Sequence, residues 1–308
     1  MDREHDVIII GGGAAGLAAA LYAARFRLKT AVIAKEYGGT GNIAHLVDNW
    51  IGEPGISGWD LMQKFISHVK SYEVPLVEGE VTKVSHESGV FTVQLASGEA
   101  HTARVIIFSN GMMHRKLGVP GEEQYAGKGV HYCYTCDGPL YRGKILAVVG
   151  GSDSAVLGTI FLSQYATKVY TIFRKEELTA EPISIEKLKT VEHVEFIPKS
   201  NVTEIIGANG RVSSLKLDTG RNVDVHGLFI EVGHLPLNML AKDLGVSLDE
   251  RGYIKVDRQQ ATNIPGAFAA GDITNATELK QFITSASEGS IAAQSAYNYL
   301  HSLHGGYR

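Results

Sequence analysis

The chain begins with a short polar segment and then runs apolar from Val7 to Ala24. The run is not uniform. Four β-branched residues, Val7-Ile8-Ile9-Ile10, read as a buried strand. Gly11-Gly12-Gly13 breaks that pattern, and an Ala-rich stretch to Arg25 reads as a helix. A further strand is expected at Lys29–Ala34. The same order returns at Ile145–Tyr165 (ILAVVGGSDSAVLGTIFLSQY), followed by a strand at Lys168–Phe173. The chain is therefore expected to hold two copies of a nucleotide-binding βαβ unit, each with parallel strands joined by a helix.

Further along, Arg104–Gly111 (RVIIFSNG) and Gly227–Gly233 (GLFIEVG) are apolar strands running into a glycine, with Pro120 and Pro236 soon after. A third such exit is Gly266–Asp272 (GAFAAGD), and a long helical stretch, Phe282–His301, follows it. Val81–Leu95 and Val202–Leu217 alternate polar and apolar positions around turn residues, the pattern of antiparallel meanders. The fold class is α/β, with two Rossmann-like nucleotide-binding domains. Residues 1–115 and 242–308 read as one discontinuous domain and 116–241 as a domain inserted into it.

The length of 308 residues suits two domains. Lys+Arg number 29 against 33 Asp+Glu, a net charge of −4, which lacks the basic footprint of a nucleic-acid binder. By length alone Val7–Ala24 would suit a membrane span. Three glycines in mid-helix and the acidic flank MDREHD argue against both a span and a signal peptide, so a soluble cytoplasmic protein is expected. The two cysteines, 133 and 136, rule out a disulfide-stapled scaffold and a four-Cys zinc site.

Gly11-x-Gly13-x-x-Gly16, with Ala14 and Ala15 opening the helix, is the dinucleotide fingerprint in its strand–turn–helix context. The acid expected at the end of the following strand falls near Ala34, and Glu36 is the nearest carboxylate. The second fingerprint is altered. Gly150-x-Ser152-x-x-Ala155 puts a side chain where a pyrophosphate would press on bare backbone. Arg174 and Lys175, at the strand end that reads the adenine ribose, suit a 2′-phosphate and hence NADP over NAD. A vestigial site or a solvated strand end explains them as well. Cys133-Tyr134-Thr135-Cys136 has the spacing of a redox dithiol, with Asp137 next to it. His131 and His114 do not complete a recognisable metal set, and no metal is expected.

The run LGVPGEEQYAGKGVHYCYTCDG (Leu117–Gly138) resembles the redox segment of the low-molecular-weight thioredoxin reductases, the class II FAD-dependent pyridine nucleotide-disulfide oxidoreductases. GGGAAGLAAALYAAR, Asp48-Asn49-Trp50, GGSDSA and GAFAAGD resemble the same family in the same order along the chain. The resemblance implies a homodimeric FAD enzyme that reduces thioredoxin or a thioredoxin-like protein. Residues 1–115 and 242–308 would bind FAD, and 116–241 would be the pyridine-nucleotide-like domain carrying the dithiol. It implies Cys136 as the thiol facing the flavin, Cys133 as the interchange thiol, and Asp137 as the acid/base that protonates the departing sulfur. The implied FAD contacts are Gly11, Gly13, Ala14, Ala15, Gly16, Glu36, Asn49, Gly111, Gly271, Asp272, Gln281 and Phe282. Asp272 would bond the ribityl chain, and main-chain N–H groups of Gln281 and Phe282 would lie near flavin N1 and O2.

The sequence departs from the NADPH-using members of that family. Ser152 replaces a glycine, Phe173-Arg174-Lys175 replaces a more basic triplet, and Thr179 stands at a later Arg, which puts NADPH use in doubt. Such departures resemble the ferredoxin-dependent or deeply rooted branch whose donor is not NADPH. A plant-type ferredoxin near about −400 mV lies roughly 6 kcal/mol uphill of thioredoxin for two electrons, so recognition rather than energy must select the donor. In the tail, His304 or Tyr307 is expected to cover the flavin face, with a frayed terminus as the alternative. Two other readings stand beside these: a ferredoxin–NADP reductase, which would lack the CxxC, and a non-turnover flavin redox sensor.

Overall fold

The computed structural model describes residues 5–44 and 46–303. The chain divides into two compact units. One takes in the chain through Met113 and again from Pro236; the other is His114–Leu235.

In the first unit the strand His5–Gly12 is central. It pairs in parallel with Thr30–Tyr37 on one side and Ala100–Phe108 on the other. Leu76–Glu78 extends the sheet beyond Thr30–Tyr37, and Val90–Leu95 with Val81–Glu87 extend it antiparallel beyond Ala100–Phe108. Ala267–Ala269 adds a parallel strand to Ala100–Phe108. The unbroken β-branched run is explained by burial on both faces. Val7 and Ile9 pack with Leu17, Ala20, Ala292 and Ala296, whereas Ile8 and Ile10 pack with Ile33, Phe91 and Phe108. The helices Ala14–Arg25 and Phe282–Leu303 meet through small residues. A Cβ at Gly289 would stand 2.0 Å from the Ala15 carbonyl oxygen, so only glycine allows this approach. The apolar run Val7–Ala24 thus divides into strand, turn and helix. No helix among the described residues is long and apolar enough to cross a membrane.

The second unit carries a five-stranded parallel sheet in the order Val194–Ile197, Lys168–Ile172, Ile145–Val149, Gly227–Ile230, Val130–His131. The helix Asp153–Ser163 connects Ile145–Val149 to Lys168–Ile172. Val202–Ala208, Arg211–Leu217 and Asn222–Asp224 form a separate antiparallel sheet.

Two strands stop earlier than their apolar pattern suggests, for local reasons. Ala267–Ala269 ends because the next free donor, the Gly271 N–H, is captured at 2.8 Å by the Glu288 carboxylate. Gly227–Ile230 ends after the Glu231 N–H bonds to the Val149 carbonyl, where the neighbouring chain turns away at Gly150 with φ +144°.

Candidate active site

Cys133 and Cys136 form a disulfide. Cys133 caps the four-residue helix Tyr134–Asp137, and its sulfur accepts the Cys136 N–H at 3.1 Å. Cys136 is exposed and Cys133 half-buried, so the pair sits at the surface of its unit. Tyr134 anchors this short helix: its ring packs on Phe161, 5.7 Å between centroids, and a Cβ at Gly158 would meet it at 2.9 Å. Burial, helped by the Glu231 charge, pushes the Tyr134 phenol up to about 12, so it stays neutral. Asp137 follows Cys136 and accepts from His131 Nδ1 at 2.9 Å. His131 Nε2 in turn meets the Tyr141 hydroxyl at 2.7 Å. The other histidine considered from the sequence, His114, lies instead against His234, 4.6 Å between ring centroids. No group of three metal-ligating side chains occurs among the described residues.

In the first unit a cavity of about 190 Å³ lies outside the carboxyl ends of the parallel strands, between His5–Gly12 and Ala100–Phe108. Carboxyl ends of parallel strands are where open α/β sheets bind ligands. Gly13, Ala14, Ala15, Gly111, Gly271, Asp272, Gln281 and Phe282 line it. Gly11 and Gly16 do not; they build the turn. A Cβ at Gly11 would stand 2.2 Å from the Ser109 carbonyl oxygen, and one at Gly16 2.0 Å from that of Gly11. Gly13 differs. Its φ of −81° suits any residue and a Cβ there would meet no protein atom within 4 Å. What the bare position leaves room for lies outside the protein. The helix behind it has no side-chain cap and no acid in its first turn, so its N–H groups suit a pyrophosphate.

Asp272 supplies a carboxylate at the cavity, held by the Ser285 hydroxyl at 2.9 Å, and burial raises its pKa. Glu288 fixes the adjoining turn by accepting from Gly271 N and from Thr274 Oγ1 at 2.9 Å. Lys280 brings a cation to the wall. It donates to the Thr274 carbonyl at 2.6 Å and lies over the Tyr253 ring, and burial lowers its pKa. Asn49 is one residue removed from the wall, donating to Gln281 Oε1 at 3.1 Å. The Gln281 N–H donates to Thr284 Oγ1, so of the two main-chain donors expected at a flavin one is engaged locally. Glu36 is exposed at the end of Thr30–Tyr37, bonded to Asn42, and does not line the cavity. A bare turn, an open helix N-terminus and a half-buried carboxylate lining the same cavity fit the pyrophosphate and polyol of FAD. Ser109, Thr40, Lys280 and Ser285 complete the wall and carry no motif of their own. His304 and Tyr307 lie outside the described residues.

The second unit has a cavity of about 400 Å³ in the equivalent place, between Ile145–Val149 and Gly227–Ile230. Gly150, Gly151, Ser152, Arg174, Lys175 and Thr179 line it, with Arg115 and Lys116 adding charge. The loop after Lys168–Ile172 is fastened to the glycine turn. Thr179 N donates to the Gly151 carbonyl at 2.7 Å, and Glu181 N to Asp153 Oδ1 at 2.7 Å. Glu231, only 4% exposed, also lines the cavity, and burial pushes its carboxyl up to about 7.

Comparison with known proteins agrees with this arrangement. The family model for pyridine nucleotide-disulphide oxidoreductases matches residues 5–290. A thioredoxin reductase of Listeria innocua is 39% identical over 98% of this chain and 96% of its own length. The crystal structure of the Lactococcus lactis thioredoxin reductase, in its FR conformation, superposes with a TM-score of 0.93 at 34% identity, covering 97% of this chain and 99% of that one. The thioredoxin reductase of T. acidophilum gives a TM-score of 0.91 at 36% identity, over 96% of this chain and 99% of that one. With two nucleotide-type sheets, a CxxC disulfide and similarity along nearly its whole length, the chain belongs to the pyridine nucleotide-disulphide oxidoreductase family, among its low-molecular-weight thioredoxin reductases.

Proposed function

We propose that the protein is a flavin-dependent thioredoxin-disulfide reductase, passing electrons from a donor through FAD to Cys133–Cys136 and on to a thioredoxin or thioredoxin-like protein. The observation that carries this reading is the surface disulfide joined directly to a hydrogen-bonded acid, Asp137. Bound FAD would supply the redox chemistry that no side chain offers, taking up electrons from the donor and passing a pair to the disulfide. Gly13 and the N–H groups of the helix behind it would hold its pyrophosphate, and Asp272 its ribityl hydroxyls.

With the Cys133–Cys136 bond reduced, the Cys133 thiolate attacks one sulfur of the thioredoxin disulfide, forming a mixed disulfide. Asp137 gives a proton to the departing thioredoxin sulfur. Cys136 then gives its thiol proton to the Asp137 carboxylate and attacks the Cys133 sulfur; the enzyme disulfide re-forms, and the second thioredoxin sulfur leaves and takes a proton from solvent. Two electrons and two protons pass to thioredoxin in all. Replacing Cys133 or Cys136 with Ser is expected to abolish thioredoxin reduction while FAD stays bound. Near-normal turnover in either variant would remove the dithiol from the mechanism.

NADPH is proposed to be a poor donor, and a one-electron carrier of the ferredoxin type the better one. Four cations along the second cavity attract phosphates to its rim, but the turn itself is obstructed. Supporting this are the Ser152 side chain at the position bare in the first unit, the Thr179 latch on Gly151, and the Glu231 carboxyl beneath. Anaerobic mixing with excess NADPH is expected to leave the flavin yellow, while reduced ferredoxin bleaches it. Rapid bleaching by NADPH would reverse the assignment. The working form is proposed to be a cytoplasmic homodimer, as the family resemblance implies.

A further inference from the structure

The buried ring of His131 has no part in the scheme above, yet the fold holds it with unusual care. It is 7% exposed, stacked on Phe229 with centroids 5.3 Å apart and met edge-on by Tyr141 at 5.3 Å. Phe229 is also its partner in the strand ladder, so the ring plane is set by the sheet. Both ring nitrogens are engaged: Nδ1 with Asp137 Oδ2 and Nε2 with the Tyr141 hydroxyl. An ionised carboxylate only accepts hydrogen bonds, so Nδ1 carries the proton whenever Asp137 is charged. Nε2 then accepts from Tyr141, or donates to it when the ring is protonated.

We propose that His131 is a positioning residue that supplies Asp137 with its proton, so that Tyr141, His131 and Asp137 form a relay ending at the dithiol. The proposal rests on the reading that Asp137 protonates the departing thioredoxin sulfur. A lone ionised carboxylate has no proton to give, whereas the Nδ1–H that faces Asp137 is one the carboxylate can take up as the departing sulfur draws on it. In the forward direction the Nδ1 proton passes to the Asp137 carboxylate and from it to the departing sulfur, while Nε2 takes the Tyr141 hydroxyl proton and water restores that hydroxyl. When Asp137 then takes up the Cys136 thiol proton it returns a proton to Nδ1, Nε2 releases its own through Tyr141 to water, and the pair regains its starting protons. The groups facing the ring are Asp137 and Tyr141. The strand Gly227–Ile230 contributes no titratable side chain, and Arg211 acts one group further out, on Tyr141.

The test is single-turnover reduction of thioredoxin by the FAD-loaded, pre-reduced enzyme, followed by thioredoxin fluorescence from pH 5.5 to 9. His131→Gln keeps a donor towards Asp137 but cannot carry the proton onward. It is expected to be about tenfold or more slower than the parent at pH 8, with the gap narrowing as pH falls to 5.5 and solvent protons compete with the relay. Tyr141→Phe, which preserves the ring packing, is expected to show the same pH trend at about two- to threefold. Combining His131→Gln with Asp137→Asn should be no slower than Asp137→Asn alone. A His131→Gln deficit that is absent, or equal at every pH, would overturn the relay while leaving Asp137 in place. Parent-like rates in Asp137→Asn would overturn the acid role itself, and the relay with it.

Discussion

The two glycine turns have nearly the same backbone, and at the position before the helix one has Gly13 and the other Ser152. In the first unit Gly11 has φ +117° and Gly13, before the helix, has φ −81° and ψ −169°. In the second, Gly150 has φ +144° and Ser152 has φ −96° and ψ −175°. At Gly11 and Gly150 the glycine is required by the sheet: a Cβ would stand 2.2 Å from the Ser109 oxygen or 2.1 Å from that of Glu231. At Gly13 and Ser152 the backbone accepts any side chain, and one turn is bare while the other is filled. Turn geometry therefore follows from the fold, and room for a ligand is a separate property set at the third position.

Three experiments bear on that contrast. The largest effect is expected from Gly13→Val, whose Cβ meets no protein atom within 4 Å, so that it should fold, but which fills the cradle. FAD binding should weaken by at least about a hundredfold and the purified protein should be colourless, with circular dichroism unchanged. A yellow Gly13→Val protein would show that the turn does not hold the cofactor.

Next is Glu231, which stands where the first unit has Ser109. Its folded-state pKa of about 7 lies above the ordinary value of 4.5. The folded state thus binds a proton that the unfolded state releases, so stability is greatest below about pH 4.5 from this group and falls as pH rises to 7. The loss approaches about 3 kcal/mol. Chemical denaturation of Glu231→Gln should lack this decline between pH 5 and 7, and parallel curves for the two proteins would refute it. The smallest effect is expected from Ser152→Gly. Relieving the crowding should be worth about 1 kcal/mol, speeding anaerobic flavin reduction by NADPH about fivefold. No change would move the obstruction from Ser152 to the Thr179 latch.

Much of this was legible in the sequence because its causes are local. A strand buried on both faces demands Val7-Ile8-Ile9-Ile10, and the turn after it demands glycine. The dithiol is visible in the spacing of Cys133 and Cys136. The cavity walls were not legible. Ser109 reaches the Gly13 site and Glu231 the Gly150 site because distant strand ends lie side by side there, and Ser285 reaches the Gly13 site from the helix Phe282–Leu303 packed on Ala14–Arg25. Glu36 is exposed at the end of its strand and accepts from Asn42 Nδ2, a neighbour that the spacing along the chain does not announce. His131 and Asp137 are close in sequence, but only the ladder with Phe229 turns the ring toward the acid.

The close approach of the Glu231 carbonyl to Gly150 has a consequence for how such chains change over time. Because that glycine answers to a neighbouring strand, it would have to persist even in a descendant that never met a nucleotide. A lineage could switch fuels by altering Ser152 and the loop at Thr179 alone, leaving the scaffold intact, and a scan for glycine spacing would register no difference between the old diet and the new.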